Sequence, residues 1–424
     1  MYHLYIFYMT FASLRLCERN NIAQRRRDAK VLGFMVCAFF ASYSSFAQQP
    51  VSMNEAVAIA MANHPVTRNA ALEEQKDALM QQQAVDFAPL QAKYWQRNAN
   101  TGNDRLWSVT QDFGSIPEHI RRARYYRTVT STRQTERVLT LDELAWQVKA
   151  AYTDAVYYRQ RLRIMQEHNH YFEALISIAE IYLTADSISE LAKVSAGTRY
   201  AAYQGRMYIA GEELKRAETR LRQLMYLPGE TETSQTELEL YQIHPDKAID
   251  ERFEPVKHQV VDAAQLLEAK SVAELEKSKL FPGIHAGYLN QHIEGMNNFQ
   301  GWMVGLSVPL WMRPQQARIK QAEIDVKIKA NETEYRQFTG QQHIETLISL
   351  LNEYFVQISF SKENLLIEAK LTLEEIEHDF SAGHITNYAD AFTKVNNAVF
   401  AKLNHLEYIN LYNQTALELE YHTQ

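Results

Sequence analysis

The sequence predicts a mainly α-helical protein with a small β part, arranged as two internal repeats. Only 14 glycines and 10 prolines occur among the 424 residues, and this scarcity of helix-breaking residues favours long helices. The stretch from 120 to 185 contains neither residue type and carries apolar residues at heptad spacing. Two stretches in which polar and apolar residues alternate interrupt this pattern and predict two β-hairpins.

The composition excludes several classes of protein. With 46% hydrophobic and 22% charged residues, the chain is neither disordered nor a helical membrane protein with many spans. The formal net charge of −7 at pH 7 argues against nucleic-acid binding, because that binding depends on basic surface. We therefore expect a folded protein that has no nucleic-acid partner.

The N-terminal residues 1–47 have the pattern of a secretory signal peptide. The basic stretch Arg25–Lys30 precedes the apolar run Val31–Phe40 and a small-residue cleavage site at Ala47. Residues 1–24 do not fit this pattern, so we interpret them as an over-extended N-terminus. Both cysteines, Cys17 and Cys37, precede the cleavage site, so the mature chain is expected to have no disulfide and no thiolate metal site.

Matching segments recur along the chain at nearly constant separation, as an internal duplication produces. Trp107-Ser-Val109 matches Trp302-Met-Val304, and the segment 183–189 matches 380–386. The predicted organisation is a first repeat at 48–230, an inter-repeat linker at 231–255 and a second repeat at 256–424.

In the first repeat, the residues Ser52 to Glu55 form a capping box that opens a short helix. A second helix begins near Pro65 and ends before Pro89. The elements predicted after it are strands near 91–99 and 104–112, a helix at about 120–185 and a helix at about 190–226.

The second repeat is predicted to have the same order of elements. Its first helix continues to Leu280 and is broken by Pro282 and Gly283. The elements predicted after it are strands near 284–293 and 299–309 and helices at about 315–381 and 387–421.

The long helices carry coiled-coil seams. In the first repeat, one seam position is occupied by Leu141, Val148, Ala155, Leu162, Ile176 and Leu183. In the second repeat, the seam runs from Ile344 to Ile358 and resumes one residue late at Leu366, a shift that alters the local supercoil. A soluble coiled-coil bundle would account for these helices without any other function.

The hairpins call for a further explanation. Trp302, Val304, Leu306 and Val308 alternate with Met303, Gly305 and Ser307, so that one face of the strand is apolar. Four tryptophans lie in or beside the hairpins: Trp95, Trp107, Trp302 and Trp311. Such segments are typical of a membrane β-barrel with an aromatic girdle. Four strands cannot close a barrel, so several chains would have to share it.

Several segments in their order along the chain resemble the TolC-type outer-membrane efflux proteins, over essentially the whole mature chain. They are Asn63-His-Pro65, Leu224 to Gly229, Phe281-Pro-Gly283, Trp302 to Leu310, Gln316 to Ile319 and Phe380 to Thr386. The stretches Gly287 to Asn290 and Tyr412 to Glu420 are similar to the branch of the family that serves heavy-metal cation pumps.

The resemblance implies a homotrimer in the cell outer membrane that extends into the periplasm. Twelve strands from three chains would form one β-barrel in contact with outer-membrane lipid, above a trimeric α-helical barrel. Such a protein is a passive duct and not an enzyme, and it needs no cofactor. Its partners would be a periplasmic adaptor (membrane fusion) protein and a proton-driven inner-membrane transporter of the RND type.

The family docks its adaptor at the tips of the long helical hairpins, and the resemblance places these tips at two segments. The candidate docking residues are Asp186, Ser187 and Ile188 in the first tip and Gly383, His384, Ile385 and Thr386 in the second. The family also often carries an acidic ring that narrows the pore. Asp390 is the candidate here, and a solvated aspartate on the outer face is the alternative.

Two motifs of the chain are also compatible with a function other than a duct. Glu167-x-x-His170 and Glu375-x-x-His378 have the spacing of di-iron ligands in helical-bundle metalloenzymes, but both pairs fall outside the heptad seams and are expected on solvated faces. We predict no metal site. The remaining alternatives are a secreted coiled-coil adaptor or structural protein, and a duct of the same fold for drugs or other small molecules.

Overall fold

Helices form most of the computed structural model, which describes residues 50–99, 102–184, 190–229, 232–242, 256–293, 296–310, 312–382 and 387–423. Three groups of sequence predictions lie outside the described residues. They are the signal peptide 1–47, Trp311, and the tip residues Asp186, Ser187, Ile188, Gly383, His384, Ile385 and Thr386. More than half of the predicted linker, residues 243–255, also lies outside them.

The first helix, α1 (Met53–Asn63), begins at the predicted capping box. The backbone N–H of Ser52 donates to Glu55 Oε2 at 2.8 Å, and the N–H of Glu55 donates to Ser52 Oγ at 3.4 Å. Helix α2 (Pro65–Gln82) follows at once, with Pro65 in its first turn. The prediction for both helix starts is confirmed.

The two hairpins form a single antiparallel sheet in the order β1-β2-β3-β4. Its strands are β1 (Gln91–Ala99), β2 (Gly102–Gly114), β3 (Gly283–Ile293) and β4 (Met296–Ser307). Strand β4 ends at Ser307, two residues before the predicted end, so Val308 lies beyond the ladder. Proline at 309 has no N–H to donate to a neighbouring strand.

Six further helices make up the rest of the body. They are α3 (Ile116–Thr184), α4 (Glu190–Met225), α5 (Val256–Ser278), α6 (Met312–Phe360), α7 (Leu366–Ala382) and α8 (Tyr388–Thr423). Helix α3 has 69 residues and is therefore about 100 Å long at ~1.5 Å per residue. No helix in the described ranges is both long enough and apolar enough to cross a membrane.

A π-helical turn, Ser361–Leu365, joins α6 to α7. It lies where the heptad seam was predicted to slip by one residue, because a π-turn adds one residue to the helical repeat. With the extra residue accommodated, Ile358 before the turn and Ala369 after it are both buried. Ser361 is itself fully buried, and its Oγ lies 2.6 Å from His405 Nδ1 on α8.

Three apolar clusters hold the helices together. One joins α3, α4, α7 and α8 around Phe172 and Val395, and a second joins α1, α3 and α4 around Tyr152 and Leu221. The third joins α6 and α8 around Leu347. The described part of the linker packs on the same body, since Leu238 belongs to the second cluster. Val51–Gln424 therefore behave as one compact unit. The described parts of the two halves differ from the predicted repeat at their starts, because α1 and α2 precede the first hairpin and α5 alone precedes the second.

A polar contact also links α3 to α8. Asp154 Oδ1 accepts hydrogen bonds from Gln414 Nε2 at 2.9 Å and from Asn410 Nδ2 at 3.4 Å. Burial raises the pKa of Asp154, and these two bonds offset the effect only in part. Ionisation of Asp154 is therefore less favourable in the folded protein than in the unfolded chain.

Candidate functional site

One face of the sheet is apolar and exposed, and we call it the outer face. The strand pairing places Tyr94 opposite Trp107 and Tyr288 opposite Trp302. The Trp107 and Tyr288 rings lie 5.4 Å apart and the Tyr288 and Trp302 rings 5.1 Å apart, so a row of aromatic rings crosses three strands. Trp302 is 85% exposed and Val304, on the same face, is 78% exposed.

The opposite face, the inner face, is crowded and rich in glycine. A Cβ added to Gly287 would lie 2.7 Å from Thr110 Cγ2, and one added to Gly305 would collide with the ring of His285. Neighbouring side chains thus cover the glycine backbones. Glycine within a strand allows tight bending and close approach, and this crowding fits a sheet that is concave on the inner face.

The sheet is open at both sides. In the described part of one chain, β1 and β4 each pair with a single neighbouring strand. Their outer edges therefore present backbone N–H and C=O groups for pairing with another strand. The four strands have 9 to 13 residues, or about 30 to 45 Å at ~3.3–3.4 Å per residue, which is enough to cross the apolar part of a bilayer.

The pairing of β1 with β2 shows that one of the predicted girdle residues, Trp95, was assigned to the wrong face of the sheet. Trp107 and Trp302 lie on the outer face, but Trp95 is paired with Leu106 and lies on the inner face. Tyr94 occupies the outer-face position in that strand instead. The positions of the tryptophans in the sequence do not assign them to a face, because the strand register is fixed only once the two strands are paired. The sequence signal for the outer-face position is Tyr94, the aromatic residue next to Trp95.

Asp390, the candidate for a pore ring, lies in the first turn of α8 and is exposed. Its side chain is 3.6 Å from Lys394 Nζ, one helical turn along the same surface. Its backbone N–H donates to Asn387 Oδ1 at 3.2 Å. These local contacts suit a solvated helix start. Lys394 Nζ also lies 3.6 Å from Glu375 Oε1, so this lysine offsets the charge of both carboxylates within one chain.

The two Glu-x-x-His motifs are on solvated surfaces, as predicted. The side chain of Glu375 is 62% exposed and lies near Lys394, and that of His378 is 77% exposed. Glu167 is also exposed and pairs with Arg163. Because di-iron ligands must converge inside a helix bundle, these residues do not form that site.

A separate group of polar side chains comes together where α5, α6 and α8 meet. His343 Nε2 on α6 lies 3.1 Å from Glu418 Oε1 on α8. The ring of His422, one turn beyond Glu418, is 5.0 Å from the ring of His343 and 5.3 Å from that of His258 on α5. Burial, together with the two neighbouring imidazoles, lowers the pKa of His422 to about 4.

Sequence comparisons give no relative, since neither a protein-family model nor a curated protein matches the chain. Solved structures do match it. CusC, a protein studied for its folding and transmembrane channel formation, has a TM-score of 0.71 at 14% identity, over 90% of this chain and 95% of CusC.

Two other matches are outer-membrane channels by name. Campylobacter jejuni CmeC has a TM-score of 0.73 at 10% identity, over 89% of this chain and 90% of CmeC. Neisseria gonorrhoeae MtrE, in its open state, has a TM-score of 0.68 at 11% identity, over 88% of each chain. The chain therefore has the fold of these outer-membrane channels, as the TolC-like resemblance implied.

Proposed function

We propose that three copies of this chain form an outer-membrane duct that extends into the periplasm. The observation that carries the proposal is the outer face of the sheet, which places Tyr94, Trp107, Tyr288, Trp302 and Val304 in contact with the surroundings. A soluble protein rarely exposes a continuous apolar patch of this kind. Lipid is the surrounding that makes such a face favourable.

The open edges support a shared barrel. An unpaired strand edge is too costly in lipid, because each unpaired backbone group loses its hydrogen bond. Pairing β4 of one copy with β1 of the next removes both edges, and three copies give a closed twelve-stranded barrel. The outer faces of all copies then point to lipid, and the glycine-rich inner faces line the lumen.

The long helices give the duct its second part. Helix α3 continues directly from β2 and is about 100 Å long. Helix α6 follows β4 closely, and with the π-turn and α7 it makes a run of similar length. In the proposed assembly they form the periplasmic tunnel wall, with the predicted tip residues 186–188 and 383–386 docking an adaptor. An inner-membrane RND transporter supplies the energy, and the duct itself catalyses no reaction.

Heavy-metal cations are the proposed cargo, with drugs or other small molecules as the second candidate. The support for cations is the sequence resemblance at Gly287 to Asn290 and Tyr412 to Glu420. Asp390 from three copies would add an acidic ring near the tunnel entrance. Growth of a deletion strain and of a complemented strain in graded metal salts and drugs distinguishes the two cargo classes.

The assembly is tested by fractionating cells and analysing the outer membrane on gels with and without crosslinking. The duct predicts a detergent-extracted species at about three times the mass of the mature chain. A periplasmic monomer that needs no detergent would contradict it, and would favour the secreted coiled-coil protein in which the hairpins form a small soluble domain.

A further inference from the structure

We propose that each chain binds one Zn²⁺ ion between α6 and α8, with His343, Glu418 and His422 as its protein ligands. The ion would tie the C-terminal end of α8 to the middle of α6. This site lies in the helical body and does not depend on the duct function or on the cargo.

The three donors already lie close together. One ligand atom from each of the three side chains can be chosen so that all lie within 4.8 Å of one another. The pair His343 Nε2 and Glu418 Oε1 is at 3.1 Å. Around a tetrahedral zinc with Zn–N and Zn–O distances of about 2.0–2.2 Å, donor atoms are roughly 3.3–3.5 Å apart. Small side-chain rotations are enough to reach that geometry.

The backbone fixes two of the ligands relative to each other. Glu418 and His422 are four residues apart on α8, so their side chains project from the same face, one turn apart. The face is anchored because Ala416 and Leu419 pack against Ile344 and Leu347 of α6. The ligands therefore sit on rigid elements on both sides of the site.

A further imidazole, that of His258, lies beside the three proposed ligands. His258 on α5 packs against His422, and its Nε2 is buried without a hydrogen-bond partner among the described residues. Its ring lies 5.3 Å from that of His422, and its donor atoms are outside the group of three. His258 is therefore a neighbour of the proposed ion and not one of its ligands.

The donor set selects the kind of metal. Imidazole nitrogens with one carboxylate suit Zn²⁺, whereas Ca²⁺ and Mg²⁺ prefer oxygen ligands only. The side chain of His343 is 44% exposed, which leaves an entry path from solvent and room for a water ligand. No sequence motif joins these ligands, because His343 lies on a different helix from Glu418 and His422 and is 75 residues from Glu418.

The site is tested by equilibrium dialysis of the purified, chelator-treated full-length protein in detergent against Zn²⁺. We expect one Zn²⁺ per chain for the unaltered protein. His343→Gln and His422→Gln each remove a direct ligand, and we expect the affinity to fall by more than the roughly 10–100-fold that loss of a second-shell partner costs. His378→Gln is the matched control, because this exposed histidine lies on α7, outside the ligand group, and should bind as the unaltered protein does.

A spectroscopic measurement makes the test independent of protein folding in the variants. Co²⁺ in the unaltered protein should give visible absorption bands typical of a low-coordinate site with nitrogen ligands, and added Zn²⁺ should abolish them. The proposal is overturned if the unaltered protein binds no more Zn²⁺ than His422→Gln, or if no such bands appear. Neither result would affect the trimer measurement, which does not involve these residues.

Discussion

The helical body buries its large apolar side chains, whereas one face of the sheet exposes them. In the body, large apolar residues such as Phe172 and Tyr152 are fully buried between helices. In the sheet, Trp302 and Val304 are among the most exposed residues. Because apolar surface is stable where water is absent, this contrast is what the proposed duct requires, with the body in water and the outer face of the sheet in lipid.

The largest effect is expected from opening a cavity in the helical body. Phe172 is fully buried against Tyr203 and Phe392, so Phe172→Ala should lower the free energy of unfolding by about 3–5 kcal/mol. Thermal unfolding in detergent, followed by circular dichroism, measures the change. Phe172→Leu, which keeps most of the volume, serves as the control and should lose much less. Equal losses for both variants would contradict the assigned packing.

The second-largest effect is expected from placing a charge on the outer face of the sheet. Val304→Arg places a guanidinium where lipid is proposed, at a cost of about 2–4 kcal/mol near the bilayer midplane and less near its surface. We expect less protein in the outer-membrane fraction. Gln291→Arg is the control, because Gln291 pairs with Leu106 and lies on the inner face, which would line the proposed polar lumen and tolerate charge there. Equal insertion of the two variants would argue against a lipid-facing outer face.

The π-turn offers a smaller and more local test. Ser361→Ala leaves the Nδ1 of His405 without its partner in a buried position, at a cost of about 1–3 kcal/mol. Ser177→Ala removes a comparable hydroxyl from an exposed position on α3 and should change stability by less than ~0.5 kcal/mol. Urea denaturation of both variants measures the difference. A Ser361→Ala variant as stable as the control would show that this bond contributes nothing.

The smallest effect concerns the pH dependence of stability. Burial raises the pKa of Asp154 in the folded state, so between the ordinary and the raised pKa the folded state binds more protons than the unfolded state. The free energy of unfolding therefore falls as the pH rises through this interval. Asp154→Asn keeps an oxygen that accepts from Gln414 and Asn410. We expect it to be more stable than the unaltered protein at pH 7, with the advantage lost below about pH 4.

Unfolding curves at several pH values measure this difference. An advantage of Asp154→Asn that stays constant from pH 7 down to pH 4 would be unrelated to the titration of Asp154, and would contradict the assigned cause.

Local sequence signals predicted most of the fold. Strand β1 has the predicted bounds of 91–99, and the capping box at Ser52 and the one-residue slip before Leu366 are both confirmed. Each depends on residues close together in the chain. Helix α3 begins at Ile116 instead of about 120, a small difference of the kind that helix ends commonly show.

The features that sequence reasoning missed depend on contacts between distant residues. Assigning Trp95 to the inner face requires the register between β1 and β2, and gathering His343 with His422 requires the packing of α6 on α8. The spacing of Glu418 and His422 was visible in the sequence, but a single i,i+4 pair is too common to identify a metal site. The predicted tip and pore residues remain predictions.

Disulfide crosslinking between copies tests the shared barrel most directly. The two cysteines precede the predicted cleavage site, so engineered pairs are the only thiols in the mature chain. Tyr94→Cys in β1 is combined in turn with Gln300→Cys, Trp302→Cys or Val304→Cys in β4, all on the outer face. A shared three-chain barrel predicts, for at least one pair, a ladder in the outer membrane that stops at three copies. Monomers alone for every pair, or ladders that continue beyond three copies, would contradict it.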